Sequence, residues 1–344
     1  MKTKRLGRTG LMMTENSFGA LPVQRVSLEE GAKLLRYAYD QGINFFDTAR
    51  FYTDSEEKIG LGLSDVRHGL YLATKSMARD RHNVLEQLNT SLLNMKTDYV
   101  DILQLHNIPA LPDPDDPESA HAALLEAKKA GKCRFIGITT HRRDVALAAA
   151  ECGLYDTVQF PINYLSTDED LSLIDVCRKH DVGLIAMKGM SGGLISSPEA
   201  AYAFFTQYEN VVPIWGVQKQ SELDDFLSYA REGVILTDEL RNIIENDRRA
   251  LAGNFCRGCG YCMPTCPAHI AISDAARMIL MLRRAPWPEY TTPAFIEKMK
   301  NTQNCIDCGA CSAHCPYGLD TPALLRENYA DYVAFCQEKG ISLE

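Results

Sequence analysis

The chain contains no run of ~18 apolar residues, the length a membrane span needs. Its start, MKTKRLGRTGLMMT, is basic but has no apolar core behind it, so neither a membrane segment nor a secretory leader is expected. Positive charge is in short supply: 36 Lys and Arg against 45 Asp and Glu give a formal net charge of −9. Phosphate backbones are bound by clustered basic residues, so nucleic acid is not an expected partner. No G-x-G-x-x-G follows the first apolar run, which weakens a doubly wound dinucleotide fold, and no Walker-type lysine loop is present. The nearest glycine pair, Gly60 and Gly62, falls inside a helix-like stretch and reads as packing. Low-complexity tracts are also missing. What remains is 46% hydrophobic and 24% charged, the composition of a globular chain that buries a full core. A cytoplasmic protein is expected.

A length of 344 residues suits one large barrel with a small appendage. Eight apolar runs read as strands: Asn16–Ala20, Asn44–Ala49, Leu70–Lys75, Val100–His106, Cys133–Thr140, Thr157–Asn163, Val182–Gly189 and Val211–Val217. Helix-like segments separate them, among them Leu28–Gln41 and His82–Met95, with apolar residues at helical spacing. After His106 a stiff, exposed loop is expected over Asn107–Glu118. Asp116 and Pro117 there read as the cap and first turn of the next helix. Eight strand–helix units are the count of a (β/α)8 TIM barrel in the α/β class. Strand-like runs stop after about residue 245. Ala271–Arg284 and Pro322–Glu338 then read as helices, so residues 1–245 are expected to form the barrel and 246–344 a small, mostly α-helical domain.

Twelve cysteines would mean disulfides in a short secreted chain, but eight of these sit in two tight runs. The first is Cys256-x-x-Cys259-x-x-Cys262-x-x-x-Cys266-Pro267, the second Cys305-x-x-Cys308-x-x-Cys311-x-x-x-Cys315-Pro316. This is the bacterial two-cluster ferredoxin spacing, in which the fourth cysteine of each run ligates the other cluster. Two [4Fe–4S] clusters are therefore expected, one on Cys256, Cys259, Cys262 and Cys315, the other on Cys305, Cys308, Cys311 and Cys266. Gly258, Gly260 and Gly309 let the backbone turn tightly there. The plainer alternative is a pair of structural zinc sites, but those use paired C-x-x-C knuckles rather than triple runs. The gap of about 40 residues resembles the helical ferredoxin modules of succinate-dehydrogenase-type iron–sulfur subunits. So small a domain has little core, and metal binding should be coupled to its folding.

A second constellation lies at the ends of the early strands. Asp47 closes the second run in Phe-Asp-Thr-Ala, Tyr52 follows it, Lys75 closes the third in Leu-Ala-Thr-Lys, and His106 closes the fourth in Leu-Gln-Leu-His. Taken singly each is more often structural. Together, at the strand ends where barrel enzymes place their catalytic groups, they resemble the tetrad of the aldo-keto reductases, and the resemblance covers residues 1 to about 235. It implies reduction of an aldehyde or ketone, or oxidation of the alcohol, with NAD(P)H. By that resemblance Tyr52 is the general acid, Lys75 lowers its pKa, Asp47 fixes Lys75, and His106 orients the carbonyl and shares the proton. A phenol near pKa 10 has to be tuned to work near neutral pH, and a buried cation is one means.

The same resemblance suggests cofactor contacts. Thr139 would hold the nicotinamide carboxamide with help from Gln159 and Asn163, and Met187 would cover the ring. Gly192 and Gly193 would admit the pyrophosphate. Gly216 and Lys219 border the adenosine site, where Glu222 stands about where the family has an arginine. A carboxylate there repels a 2′-phosphate and accepts from a free ribose hydroxyl, so NADP and NAD both remain open. One difficulty stands in the sequence itself: a nicotinamide gives two electrons as a hydride, a cluster takes one, and no flavin signature is present. Carbonyl reduction beside structural or sensory clusters is the first reading. The second is an iron–sulfur electron-transfer protein whose clusters exchange electrons with a ferredoxin or other redox partner, or feed an unrecognised barrel cofactor.

Overall fold

Eight apolar stretches become eight parallel strands because each is covered on both faces, by the barrel interior and by helices. The structure, a computed structural model, describes residues 1–192, 195–251, 255–258, 262–284, 287–315 and 317–343. It opens with an antiparallel hairpin, β1 (Thr3–Arg5) and β2 (Met12–Thr14). The barrel strands are β3 (Ser17–Gly19), β4 (Phe45–Asp47), β5 (Tyr71–Ser76), β6 (Val100–Leu105), β7 (Cys133–Thr139), β8 (Thr157–Pro161), β9 (Gly183–Met187) and β10 (Val211–Gly216). They pair in chain order, and β10 closes on β3. The connecting helices are α1 (Leu28–Asp40), α2 (Ser55–Leu63), α3 (Arg81–Met95), α4 (Ala120–Lys129), α5 (Arg143–Glu151), α6 (Asp168–Lys179), α7 (Pro198–Phe205) and α8 (Gln220–Glu232). All eight expected strands form, and the fold is the expected (β/α)8 barrel.

The hairpin was not legible as structure in the sequence. Its Leu6, Leu11 and Met13 are buried with Phe45, Ala73, Ile102 and Ile185 inside the barrel. Gly7 abuts the start of β9: a Cβ there would lie 2.2 Å from the Gly183 nitrogen. The hairpin therefore plugs the N-terminal end, leaving the C-terminal end for chemistry. Gly60 and Gly62 are packing glycines, as expected. A Cβ on Gly60 would lie 2.2 Å from the Asn94 carbonyl, and one on Gly62 2.5 Å from that of Ala32, so α2 is wedged between α3 and α1. One cap differs from expectation. Asp116 accepts from the Glu118 N–H within a turn, and α4 begins later, capped by Ser119, whose hydroxyl accepts from Ala122 N–H at 3.2 Å. Four prolines keep the loop extended, so helix starts only after the last of them.

The chain divides into two compact units, Met1–Ile244 and Glu245–Glu344. A helix not expected from the sequence, α9 (Asp238–Leu251), runs across that division. The second unit holds α10 (Ile272–Ala275), α11 (Met278–Arg284), α12 (Pro293–Lys300), α13 (Ala310–Ala313) and α14 (Thr321–Glu338). The first four pack on α14, around Ile272, Met278, Met299, Leu325 and Tyr332. The segment expected as one helix over Ala271–Arg284 is two. The break has a cause: buried Asn328 of α14 accepts the Ile279 N–H at 2.9 Å, capping a new helix start inside the run.

Candidate active site

Side chains alternate along a strand, and the barrel register sets Gly19 beside Asp47, Lys75 beside Gln104, and Thr139 beside Gln159. At this rim Lys75 is 1% exposed and Asp47 2%. Lys75 Nζ donates to Asp47 Oδ2 at 2.6 Å and to the Thr48 carbonyl at 2.6 Å. Asp47 also accepts from Gln104 Nε2 at 3.5 Å and Gln159 Nε2 at 3.4 Å, and the two glutamines are joined at 2.9 Å. A buried ion pair of this kind is retained only when further hydrogen bonds saturate it, which the two amides supply. Gln104 was not singled out in the sequence. Its signal was there: it precedes His106 by two residues and so shares its face.

Tyr52 is carried by the loop between β4 and α2. That loop leans on β5 through Thr48 N–H to the Ala73 carbonyl and Arg50 N–H to the Lys75 carbonyl, at 2.9 and 3.0 Å. Buried charges in α2 hold its far end. Glu56 accepts from Thr74 at 2.7 Å and Arg50 at 3.0 Å, and Lys58 Nζ donates to the Val23 and Val26 carbonyls and to Asp54. Both Glu56 and Lys58 are fully buried. In this frame Lys75 Nζ lies 5.2 Å from the Tyr52 ring centroid, and the His106 ring meets Tyr52 edge-on at 5.6 Å and 84°. The structure thus brings Asp47, Tyr52, Lys75 and His106 together.

The electrostatics differ from the expectation at Tyr52. Burial raises the Tyr52 phenol above its ordinary value; Lys75 opposes this without overcoming it. The same contest acts on Asp47, where burial outweighs the pull of Lys75 and raises its carboxyl. His106 is lowered to about 3, first by burial and then by the positive charges of Lys75 and Arg79. Its imidazole is therefore neutral, and its buried Nδ1 has no hydrogen-bond partner. A neutral ring offers one N–H and one lone pair, so His106 is a hydrogen-bonding group here rather than a charged acid.

The candidate cofactor residues separate by what they already hold. Thr139 Oγ1 accepts from Asn107 N–H at 2.8 Å, which leaves its hydroxyl proton to donate. On the adjoining strand Gln104 Oε1 is buried and unpartnered. A donor and an acceptor of this kind fit a carboxamide, so the rim suits a nicotinamide. Gln159 is engaged with Asp47 and Gln104, as above. Asn163 joins two loops instead, donating to the Lys188 carbonyl at 3.0 Å and accepting from Leu165 N–H at 2.8 Å. Met187 is half-buried against the barrel core. Gly192 is exposed at φ +68°, and Gly193 lies outside the described residues. Gly216 is exposed at the end of β10, and Lys219 is exposed just before α8. Glu222 accepts from the Gln218 and Lys219 N–H groups at 2.9 and 3.1 Å. A carboxylate thus occupies a helix N-terminus where an anion would otherwise sit.

In the second unit, Cys256, Cys262 and Cys315 line one pocket whose walls include Ile272, Leu319 and Leu324. Cys259 and Gly260 lie outside the described residues, as does Pro316. The Gly258 N–H points at Cys256 Sγ, 3.4 Å away, and both Gly258 and Gly309 take left-handed φ, +69° and +71°. Of the other run, Cys311 is buried, Cys305 and Cys266 are half-buried, and Cys308 is exposed. Among the described residues no three His, Cys, Asp or Glu side chains converge on a single-ion position. Three thiols in one apolar pocket with a backbone donor aimed at sulfur fit a cluster, which spreads its thiolates over several irons.

Comparison with known proteins bears on both units. Residues 9–200 match the model of the aldo/keto reductase family, and residues 255–320 match that of a 4Fe-4S dicluster domain. L-galactose dehydrogenase of Arabidopsis thaliana is 30% identical over 215 residues, covering 57% of this chain and 67% of the relative. Aldo-keto reductase AFTS1 of Alternaria alternata is 23% identical over 247 residues, covering 57% and 66%. Among solved structures, a thermostable aldo-keto reductase, Tm1743, superposes with a TM-score of 0.60 at 26% identity, covering 72% of this chain and all of that one. Aldo-keto reductase AKR11C1 of Bacillus halodurans reaches 0.61 at 22% identity over 72% and 96%, a likeness of fold. The family match spans more than half of the chain and the whole of the Tyr52–Lys75–His106 rim, so this chain belongs to the aldo/keto reductase family and carries a 4Fe-4S dicluster domain C-terminal to it in sequence.

Proposed function

We propose that residues 1–245 reduce the carbonyl of an aldehyde or ketone with NAD(P)H, and that residues 246–344 hold two [4Fe–4S] clusters. The observation that carries the first half is the Lys75 ammonium, fixed between Asp47 and the Thr48 carbonyl beside the Tyr52 ring, with neutral His106 at the ring's edge. A bound nicotinamide supplies the hydride. Thr139 and Gln104 would hold its carboxamide, with Gln159 steadying Gln104 and Met187 bordering the ring; Gly192, Gly216 and Lys219 would line the path of the remainder.

The chain's own residues then handle the proton. His106 donates its N–H to the carbonyl oxygen and orients it. Tyr52 gives its phenol proton to the same oxygen as negative charge develops there. Burial holds the phenol protonated until that moment, and Lys75 stabilises the phenolate left behind. Asp47 fixes Lys75 and is itself fixed by the two glutamines. Replacing Tyr52 by Phe tests the reading directly: reduction of small aldehydes, methylglyoxal among them, should stop while NADH and NADPH still bind. Turnover surviving in Tyr52→Phe would refute it.

For the clusters, the supporting observation is the gathering of Cys256, Cys262 and Cys315. Cys259 would complete that set, and Cys305, Cys308, Cys311 and Cys266 the other. Exchange of electrons with a ferredoxin-like partner is favoured by the exposure of Cys308, which brings the second set to the surface of its unit. Reduction of the clusters by a ferredoxin, absent in a Cys308→Ser variant, would support that exchange; no reduction would exclude it.

A further inference from the structure

Arg79 lies outside the tetrad, in the loop that follows β5. Its Nη1 donates to the carbonyls of Met77 and Ala78, at 2.8 and 3.2 Å. Its Nη2 donates to those of His106 and Asn107, at 2.9 and 3.2 Å. Four of five guanidinium hydrogens thus go to main-chain oxygens in two loops, and no described carboxylate pairs with it. Asn107 takes a left-handed φ of 49°, and the carbonyls on either side of that turn both face Arg79. A planar fork with fixed donor directions satisfies such an arrangement; a lysine has three donors and no plane. The Ser76 carbonyl accepts the His106 N–H at 2.8 Å, and Thr139 accepts that of Asn107, so the other ties on this turn come from within the barrel.

We propose that Arg79 is the positioning residue for His106: by clamping the loops after β5 and β6 together it holds the imidazole against Tyr52 in the geometry that meets a carbonyl. The charged or titratable groups around that imidazole are Lys75 on β5, Tyr52 after β4, Asp47 behind Lys75, and Arg79 itself. The inference rests on the reductase reading above.

The test compares Arg79→Gln and Arg79→Lys in the cluster-loaded full-length protein. Both should lower kcat for methylglyoxal about 10- to 100-fold, the scale of a misplacement near 1 Å. The melting temperature and the dissociation constants of NADH and NADPH should stay at parental values. Histidine-labelled NMR, with His106 assigned by His106→Asn, should show a displaced ring resonance in both. Parental kcat in Arg79→Gln would overturn the proposal, as would full rescue by Arg79→Lys, which would assign the effect to charge alone. Failure of the reductase reading looks different: Tyr52→Phe would retain turnover whatever Arg79 does.

Discussion

The neutral state of His106 carries a cost in acid that can be measured. Its pKa falls from 6.5 to about 3 on folding, through burial beside Lys75 and Arg79. The sign follows from proton counting. Below pH 6.5 the unfolded chain binds a proton at this position that the folded chain refuses, so unfolding gains as pH drops. Above pH 6.5 neither state is charged there and the term vanishes. Between pH 7.5 and 5.5 the unfolded imidazole protonates by about one unit beyond its midpoint, so the folded barrel loses about 1.4 kcal/mol from this group. His106→Asn removes that term and should flatten the dependence by the same amount. The chain has two tryptophans, and only Trp215 lies in the barrel, fully buried and stacked on Phe226 at 4.2 Å. Urea unfolding followed by Trp215 fluorescence, in a Trp287→Phe background, therefore reports the barrel. If parent and His106→Asn lose stability in parallel from pH 7.5 to 5.5, His106 titrates near its free value and the neutral-imidazole account of the site is wrong.

Removing one partner of the Lys75–Asp47 pair strands a buried charge. Lys75→Met should cost about 3–5 kcal/mol by the same unfolding signal, and Lys75→Met with Asp47→Asn should recover part of it; an equal or larger loss in the double variant would contradict the pairing. In Lys75→Met the Asp47 carboxyl, already raised by burial, loses the opposing pull of Lys75 and rises further, so that variant should lose more stability than the parent as pH rises from acid. Glu222→Arg exchanges the carboxylate at the α8 N-terminus for a cation. Such an exchange is worth about 1 kcal/mol, or about a fivefold fall in the KM for NADPH relative to NADH; an unchanged ratio would mean the nucleotide does not pass Glu222. Iron chelation of the full-length protein should erase amide-exchange protection in α10–α14 and leave it in β3–β10. Protection persisting in α14 would show that the helical unit holds together without metal.

The strands were the easiest feature to read, because Leu72-Ala73-Thr74-Lys75 or Ile102-Leu103-Gln104-Leu105 must be apolar on both faces, and polar residues in such runs sit at the rim. The cysteine spacing and the four strand-end residues were legible for the same reason: chemistry forces particular types into particular places. Glu56 and Lys58 were not. A Glu-Glu-Lys run on a helix reads as a solvated face, and only Gly60 and Gly62 hint that α2 is squeezed tightly enough to bury it. Arg79 was equally silent, since its partners are carbonyl oxygens, which every residue has. The single helix expected over Ala271–Arg284 failed because its break is imposed by Asn328, some 50 residues away. The cap expected at Asp116 is supplied by Ser119, because the proline-stiffened path of the loop delays the helix start.

The two halves of the chain differ in electron arithmetic, and that difference decides how they can be connected. In the proposed reaction, hydride transfer to a carbonyl with the proton from Tyr52 would consume both nicotinamide electrons in one event and leave none over. A cluster accepts a single electron, so feeding it from a nicotinamide requires a one-electron carrier between them. Carbonyl reduction by the proposed route passes no electron to the clusters, so separate circuits are predicted. The expected outcome is specific. In anaerobically reconstituted protein, NADH and NADPH should bind saturably while the cluster absorbance stays constant, and dithionite should bleach it. Bleaching by either nucleotide alone would connect the circuits and demand a one-electron carrier between them.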